Sequence, residues 1–170
     1  MEFLQAQLCH LDDICRITDE AKAQLKSMGL DQWQKGYPSR EVWHNDIIHH
    51  RAWIAHEDEC IIGAFAFETL PDPSYFEIDG QWLTDTPYAS MHRVCVADQA
   101  KGQGVAARLF HFGFDLARSA ALDSLRIDTH PNNTPMLRAL DKAGFVPCGT
   151  IILKGGSEDG DLRVAFEKIL

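Results

Sequence analysis

The stretch from Val96 to Leu122, VADQAKGQGVAARLFHFGFDLARSAAL, runs off an apolar strand, through two glycines one residue apart, straight into a helix. With YASMHRVCVA before it and SLRIDTH after it, the chain reads as a strand, glycine turn, helix and strand unit. The first amides of a helix have no partner within it, so a helix opening on such a turn concentrates N–H donors and partial positive charge, a setting for phosphate. Gly102 and Gly104 remove the side chains that would block close approach. A glycine pair can also be a plain tight connection, so the assignment needs support from elsewhere in the chain.

The remaining elements follow from periodicity and punctuation. EFLQAQL reads as a first strand, and LDDICRITDEAKAQLKSMGL as a helix with Leu11, Ile14, Ile17, Ala21 and Leu25 on one side, ending at Gly29. Ser39 is placed to cap a helix over the residues that follow it, and RAWIAHEDECIIGAFAFE reads as a hairpin turning at Glu57-Asp58-Glu59. From Thr69 to Pro87 the pattern breaks, with Pro71, Pro73 and Gly80 among aromatics and acids, which reads as a long functional loop. NTPMLRALDKAGF is a helix closed by Gly144, and the last residues form a hairpin whose turn lies between Gly155 and Gly160.

At 170 residues with 45% apolar content, the chain is expected to form one domain over 1–170. Its formal charge of −9, from 16 basic against 25 acidic residues, argues against nucleic acid and anionic membrane as partners and favours a small cationic substrate. No leader or membrane-length apolar run is evident, which predicts a cytoplasmic protein. The five cysteines, Cys9, Cys15, Cys60, Cys95 and Cys148, lack Cys-x-x-Cys spacing and are expected to be buried free thiols. His49 and His50 are adjacent and diverge on a helix, so no metal site is expected.

Gly102-Gln103-Gly104-Val105-Ala106-Ala107 satisfies the dinucleotide pattern G-x-G-x-x-G/A, with Asp128 in reach as a ribose acid. A dinucleotide fold needs further strand–helix repeats after that turn, and only one helix and a hairpin remain. A P-loop is excluded, since no Gly-Lys-Ser/Thr follows. The alternative is Gln-x-x-Gly-x-Gly, read as Gln99-Ala100-Lys101-Gly102-Gln103-Gly104 directly after the strand HRVCVA. With Asn133 followed by Lys142, Gly144 and Phe145 in NNTPMLRALDKAGF, the whole chain resembles the GNAT superfamily of acyl-CoA-dependent N-acyltransferases.

The resemblance implies an α/β (α+β) fold: a central mixed, mostly antiparallel sheet of about six to seven strands, flanked by about four helices and splayed at the acyl-CoA site. It implies acetyl-CoA as cosubstrate, its pyrophosphate held by amides from Gln99 through Ala100, Lys101, Gly102, Gln103 and Gly104 to Val105. It further implies that Val94, Cys95 and Val96 pair their backbone with the pantetheine arm, which Asn133 also contacts; an exposed strand edge suits an amide-bearing chain. Lys101 reads equally as added phosphate charge or as a solvated surface residue.

In the implied reaction a neutral amine attacks the thioester, a backbone N–H of Cys95 or Val96 meets the oxyanion, and a base takes the ammonium proton. His92 is the candidate base. It stands two residues before Val94, so period two puts both on one face, and it sits where the similar arylalkylamine acetyltransferases carry a catalytic histidine. A structural histidine is the equal alternative. The family's usual tyrosine acid falls at Leu140 here, and His130 is the leading substitute, ahead of Tyr88 and Cys148, unless His130-Pro131 simply ends the strand. Cys95 has no activating neighbour and reads as a small strand residue rather than a nucleophile. Trp33, Tyr37, Tyr75, Trp82 and Tyr88 with Glu77, Asp79 and Asp85 could frame a pocket for a cation, or simply anchor and solubilise long loops. The acceptor is an unidentified small-molecule or peptide amine, and the oligomeric state is open, a homodimer included. The competing functions are a non-catalytic acyl-CoA sensor and a nucleotide-binding oxidoreductase.

Overall fold

A computed structural model describes residues 1–170. The chain divides into two compact units, Met1–Phe67 with Arg93–Leu109 and Glu68–His92 with Phe110–Leu170.

The first unit holds β1 (Glu2–Gln5), α1 (Leu11–Ser27), α2 (Arg40–Ile48), β2 (Ala52–Glu57) and nearly all of β3 (Cys60–Glu68). The strands are antiparallel neighbours, with Phe3 opposite Ala55 and Ile54 opposite Ala64. Asp58 and Glu59 both take positive φ, 49° and 61°, the two left-handed residues that match a tight hairpin to the strand twist. In α1 the buried residues are Leu11, Ile14, Ile17, Thr18 and Leu25, with Asp12 and Asp13 in the first turn and Lys26 in the last, each charge complementing the helix dipole. Ser39 caps α2 by accepting from the Val42 amide at 3.2 Å. Trp43 on α2 is fully buried, and its indole N–H donates to Thr18 Oγ1 at 3.0 Å, so the two helices share one apolar core with Ile54 and Ala64.

The second unit begins with a 3₁₀ turn at Pro73–Tyr75 and β4 (Asp79–Gly80). It continues through the first half of β5 (Tyr88–Val96), α3 (Val105–Ser119) from Phe110 on, β6 (Ser124–Thr129), α4 (Thr134–Ala143), β7 (Val146–Ile152) and β8 (Leu162–Ile169). β5 pairs in parallel with β6, whereas β6 with β8, β7 with β8, and β4 with β7 are antiparallel. The ring of Phe145 lies 5.5 Å from those of Phe110 and of Phe114. Gly144, at φ 80°, closes α4 in the left-handed conformation expected of a helix-ending glycine.

The hydrogen-bonded strand order is β1-β2-β3-β5-β6-β8-β7-β4, a mixed and mostly antiparallel sheet with four helices, as expected. The eighth strand is β4, which lies inside the segment read from sequence as irregular. Two residues have no periodicity to read; their strand exists only because Asp79 and Gly80 meet Thr150 and Gly149. No helix is long and apolar enough to cross a membrane.

Candidate active site

In the first unit, Asp98–Ala100 forms a single 3₁₀ turn and α3 starts at Val105. Gly102 and Gly104 between them have φ of 78° and 77°, and a Cβ on either would meet nothing within 4 Å. These glycines are therefore required by backbone conformation, and the space before the helix is open. Buried Ala100 and Val105 anchor the turn, and Gln103 Nε2 donates to the Gln99 carbonyl at 2.8 Å. The Asp98 amide donates to Glu20 Oε2 at 2.7 Å, tying the turn to α1. Lys101 is half-buried and ion-paired with Asp98.

Immediately before this turn, β5 is distorted without being interrupted. Its parallel ladder with β6 ends at Ser90 opposite Arg126, and Arg93 takes a left-handed φ of 56°. Strand alternation does not run through such a residue, so the expectation that period two sets His92 and Val94 on one face fails. What holds Arg93 there is a buried clamp: its guanidinium donates to Tyr37 Oη at 2.6 Å and pairs with Asp46 at 2.8 Å. Asp46 also pairs with Arg51 at 3.2 Å, and the Arg93 guanidinium sits 5.9 Å from the centres of the Tyr37 and Trp43 rings.

Past Arg93, Val94 and Cys95 are buried and Val96 is half-buried. Burial pushes the Cys95 thiol up to about 12, and its Sγ points to the Ala64 carbonyl at 3.7 Å, which makes it an inert core thiol. All five cysteines are free, but the expectation that they are buried holds only at Cys95: Cys15 and Cys148 are half-buried, and Cys9 and Cys60 are exposed on the first turn and at a hairpin. No group of three His, Cys, Asp or Glu side chains is arranged to hold a metal ion.

In the second unit His92 is mostly buried, with Nε2 3.0 Å from Ser90 Oγ and 3.5 Å from Asp72 Oδ2. The Tyr75 ring lies beside the imidazole at 6.1 Å. Tyr75 is itself 2% exposed and donates its hydroxyl to Asp128 Oδ1 at 2.7 Å. Burial raises the Asp128 carboxyl to about 6 against the opposing pull of that hydrogen bond and of Arg163.

His130 follows β6, and its Nδ1 accepts the Asn132 amide at 3.0 Å. A backbone N–H can only donate, so the neutral ring carries its proton on Nε2: His130 is set up as a donor rather than as a base. Asn133 is buried and caps α4, with Oδ1 accepting from the Met136 amide at 3.4 Å and Nδ2 donating to Thr129 Oγ1 at 3.2 Å. Leu140 is fully buried in the core. The Tyr88 hydroxyl accepts the Asp72 amide at 3.2 Å.

The aromatic side chains of the 69–88 segment already hold a cation, and it is the chain's own. Arg126 lies 4.1 Å from the Trp82 ring centre and 3.9 Å from that of Tyr88, while its Nε donates to Glu167 at 3.0 Å. Glu77 pairs with Lys154 at 3.1 Å, and Asp79 and Asp85 are exposed. These residues anchor the loop, the plainer of their two sequence readings. The acid beside His92 is instead Asp72, which sequence reasoning did not single out. Its one local signal is the Asp-Pro-Ser start of a capped turn.

The profile of the Acetyltransferase (GNAT) family matches residues 17–145. A solved acetyltransferase of the GNAT family from Streptococcus agalactiae 2603 is 31% identical, with a TM-score of 0.88 over 99% of this chain and 95% of that one. A second, from Listeria monocytogenes 4b F2365, has a TM-score of 0.70 over 99% and 94%, and at 17% identity shows the fold alone. Among curated proteins, streptothricin acetyltransferase of Escherichia coli is 32% identical over 89 residues, 52% of this chain. That match spans 48% of the relative, so the chain spans about half the length of the curated protein it matches.

Proposed function

The chain belongs to the acetyltransferase (GNAT) family, and from that premise we propose that it transfers the acetyl group of acetyl-CoA to a primary amine. The observation that carries this reading is the turn at Gly102–Gly104, left-handed at both glycines and open in front of the α3 N-terminus. Amides from Gln99 to Val105 would hold the pyrophosphate there, since a helix start offers N–H donors and positive dipole without a compensating cation. That economy matters in a chain whose net charge is −9 and whose local Lys101 is already paired.

Bound acetyl-CoA supplies the activated acyl group as a thioester. The backbone of Val94–Val96 would run along its amide-bearing arm, with the Cys95 or Val96 N–H donating to the oxygen that gains charge. His92 takes the proton of the incoming ammonium, directly or through one water, and thereby generates the nucleophile. His130, whose neutral ring keeps its proton on Nε2 because Nδ1 accepts the Asn132 amide, is suited to donate a hydrogen bond to the departing thiolate, and Asn133 fixes the α4 start that follows it. A thiolate is a weak base, so its departure tolerates the leucine at position 140.

Thiol release from acetyl-CoA, measured with a panel of amines, tests the proposal. The panel begins with streptothricin because the Escherichia coli relative is named for it. We expect amine-dependent release with at least one member. Coenzyme A binding without release for any amine would favour the acyl-CoA sensor, a reading supported by the buried Leu140.

A further inference from the structure

Early in the segment that leads to β5, Asp72 holds a carboxylate against the proposed base. Asp72 has two oxygens with separate tasks. Oδ1 accepts the Ser74 amide at 2.7 Å and caps the Pro73–Tyr75 turn, and Oδ2 lies 3.5 Å from His92 Nε2. The Asp72 amide donates to Tyr88 Oη, the Ser74 hydroxyl accepts the Lys154 amide at 3.1 Å, and buried Tyr75 is fixed at both ends by Asp128 and by Trp82 Nε1. The turn is thus pinned on several sides, and the direction of Asp72 is not left to chance.

We propose that Asp72 is a positioning residue for His92: it holds the imidazole through Nε2, with the ring proton there, and stabilises the imidazolium formed when the ring takes the ammonium proton. This rests on the reading of His92 as the base. A carboxylate oxygen can only accept, so the ring form compatible with these two Nε2 contacts has Nε2–H, which Ser90 Oγ receives at 3.0 Å. At 3.5 Å the Asp72 contact is long for a neutral hydrogen bond and suited to an ion pair, so its effect grows once the ring is charged. The proton count balances: the ammonium loses one proton and becomes the nucleophilic amine, and the ring gains that proton at Nδ1 while keeping the one on Nε2.

Titratable groups near the ring include Asp72 from the loop, the Tyr75 phenol and, behind it, Asp128 on β6, which faces Arg163 and Glu158. Asp72→Asn removes one charge and keeps an amide oxygen able to cap Ser74. A carboxylate favours the charged ring, so its loss should lower the His92 midpoint by about one pH unit. We expect the acid limb of the kcat/KM profile to move down in pH by that amount while kcat falls several-fold and KM for the amine stays. The His92 Cε1–H resonance, identified by its loss in His92→Gln, should shift its midpoint equally in the protein without substrates. Asp128→Asn identifies the separate titration of that carboxyl, and Asp72→Glu should restore part of the shift. Equal loss of rate at every pH with the resonance midpoint unmoved overturns the role of Asp72 alone. A profile unchanged by His92→Gln overturns the base assignment on which it stands.

Discussion

Two carboxylates on neighbouring strands of the second unit, Asp128 on β6 and Glu167 on β8, titrate in opposite directions. Burial raises Asp128 to about 6, because the Tyr75 hydroxyl and the charge of Arg163 do not replace the lost solvation. Burial also pushes Glu167 up, but hydrogen bonds from Ser124, Thr84 and Arg126 outweigh it and hold the carboxyl below its usual range. The number and charge of the donors decide the sign. A carboxyl whose folded value lies above its unfolded 3.8 binds its proton more tightly when folded, so Asp128 adds stability as pH falls from above 6 to below 4. Asp128→Asn should therefore melt higher than the parent at pH 7 and lose that gain on acidification, as thermal melts from pH 4 to 8 would show; a lower melting temperature at pH 7 would refute it. Glu167 works the other way: its contribution is present above 4.5 and is lost as pH falls through its depressed value. Neither sign is readable in the chain, because Tyr75 and Asp128 are 53 residues apart and Arg126 and Glu167 are 41 apart.

At the scale of elements, the strand–turn–helix unit was legible because its signals are local. Gly102 and Gly104 announce left-handed backbone, and the helix start follows from the apolar spacing after them. Gly104→Ala should cost about 1–2 kcal/mol of stability through its positive φ. The added Cβ would meet no protein atom, so a fall of tenfold or more in coenzyme A affinity by calorimetry would mean that it enters space the ligand uses. Unchanged affinity would remove the turn from the site. The distortion of β5 at Arg93 was not legible. Arg93 reads as an ordinary strand residue, and its left-handed conformation is held by Tyr37, 56 positions away, together with Asp46 and Trp43. Nor could sequence separate aromatics that wait for a ligand from aromatics that hold Arg126, since both have the same composition.

For the molecule as a whole, affinity for coenzyme A links to stability by mass action. At a ligand concentration one hundred times its Kd the gain is about 2.7 kcal/mol, or roughly 5–11 °C in Tm for a chain of this length. We expect that rise with coenzyme A and none with NADH at equal concentration; the reverse would revive the dinucleotide reading of the same glycines. The order of the helices and of every strand but β4, the caps and the left-handed glycine turn before α3 were determined by the sequence by itself, since each depends on residues within one turn or one strand period. Tertiary structure alone decided that Asp72 stands beside His92, that Arg93 turns left-handed within its strand, that Cys95 is inert and that two aromatics enclose the chain's own arginine. The physical reason is range: conformational preference acts over a few residues, whereas burial, ion pairing and proton affinity are set by whichever distant segments the fold brings within a few ångströms.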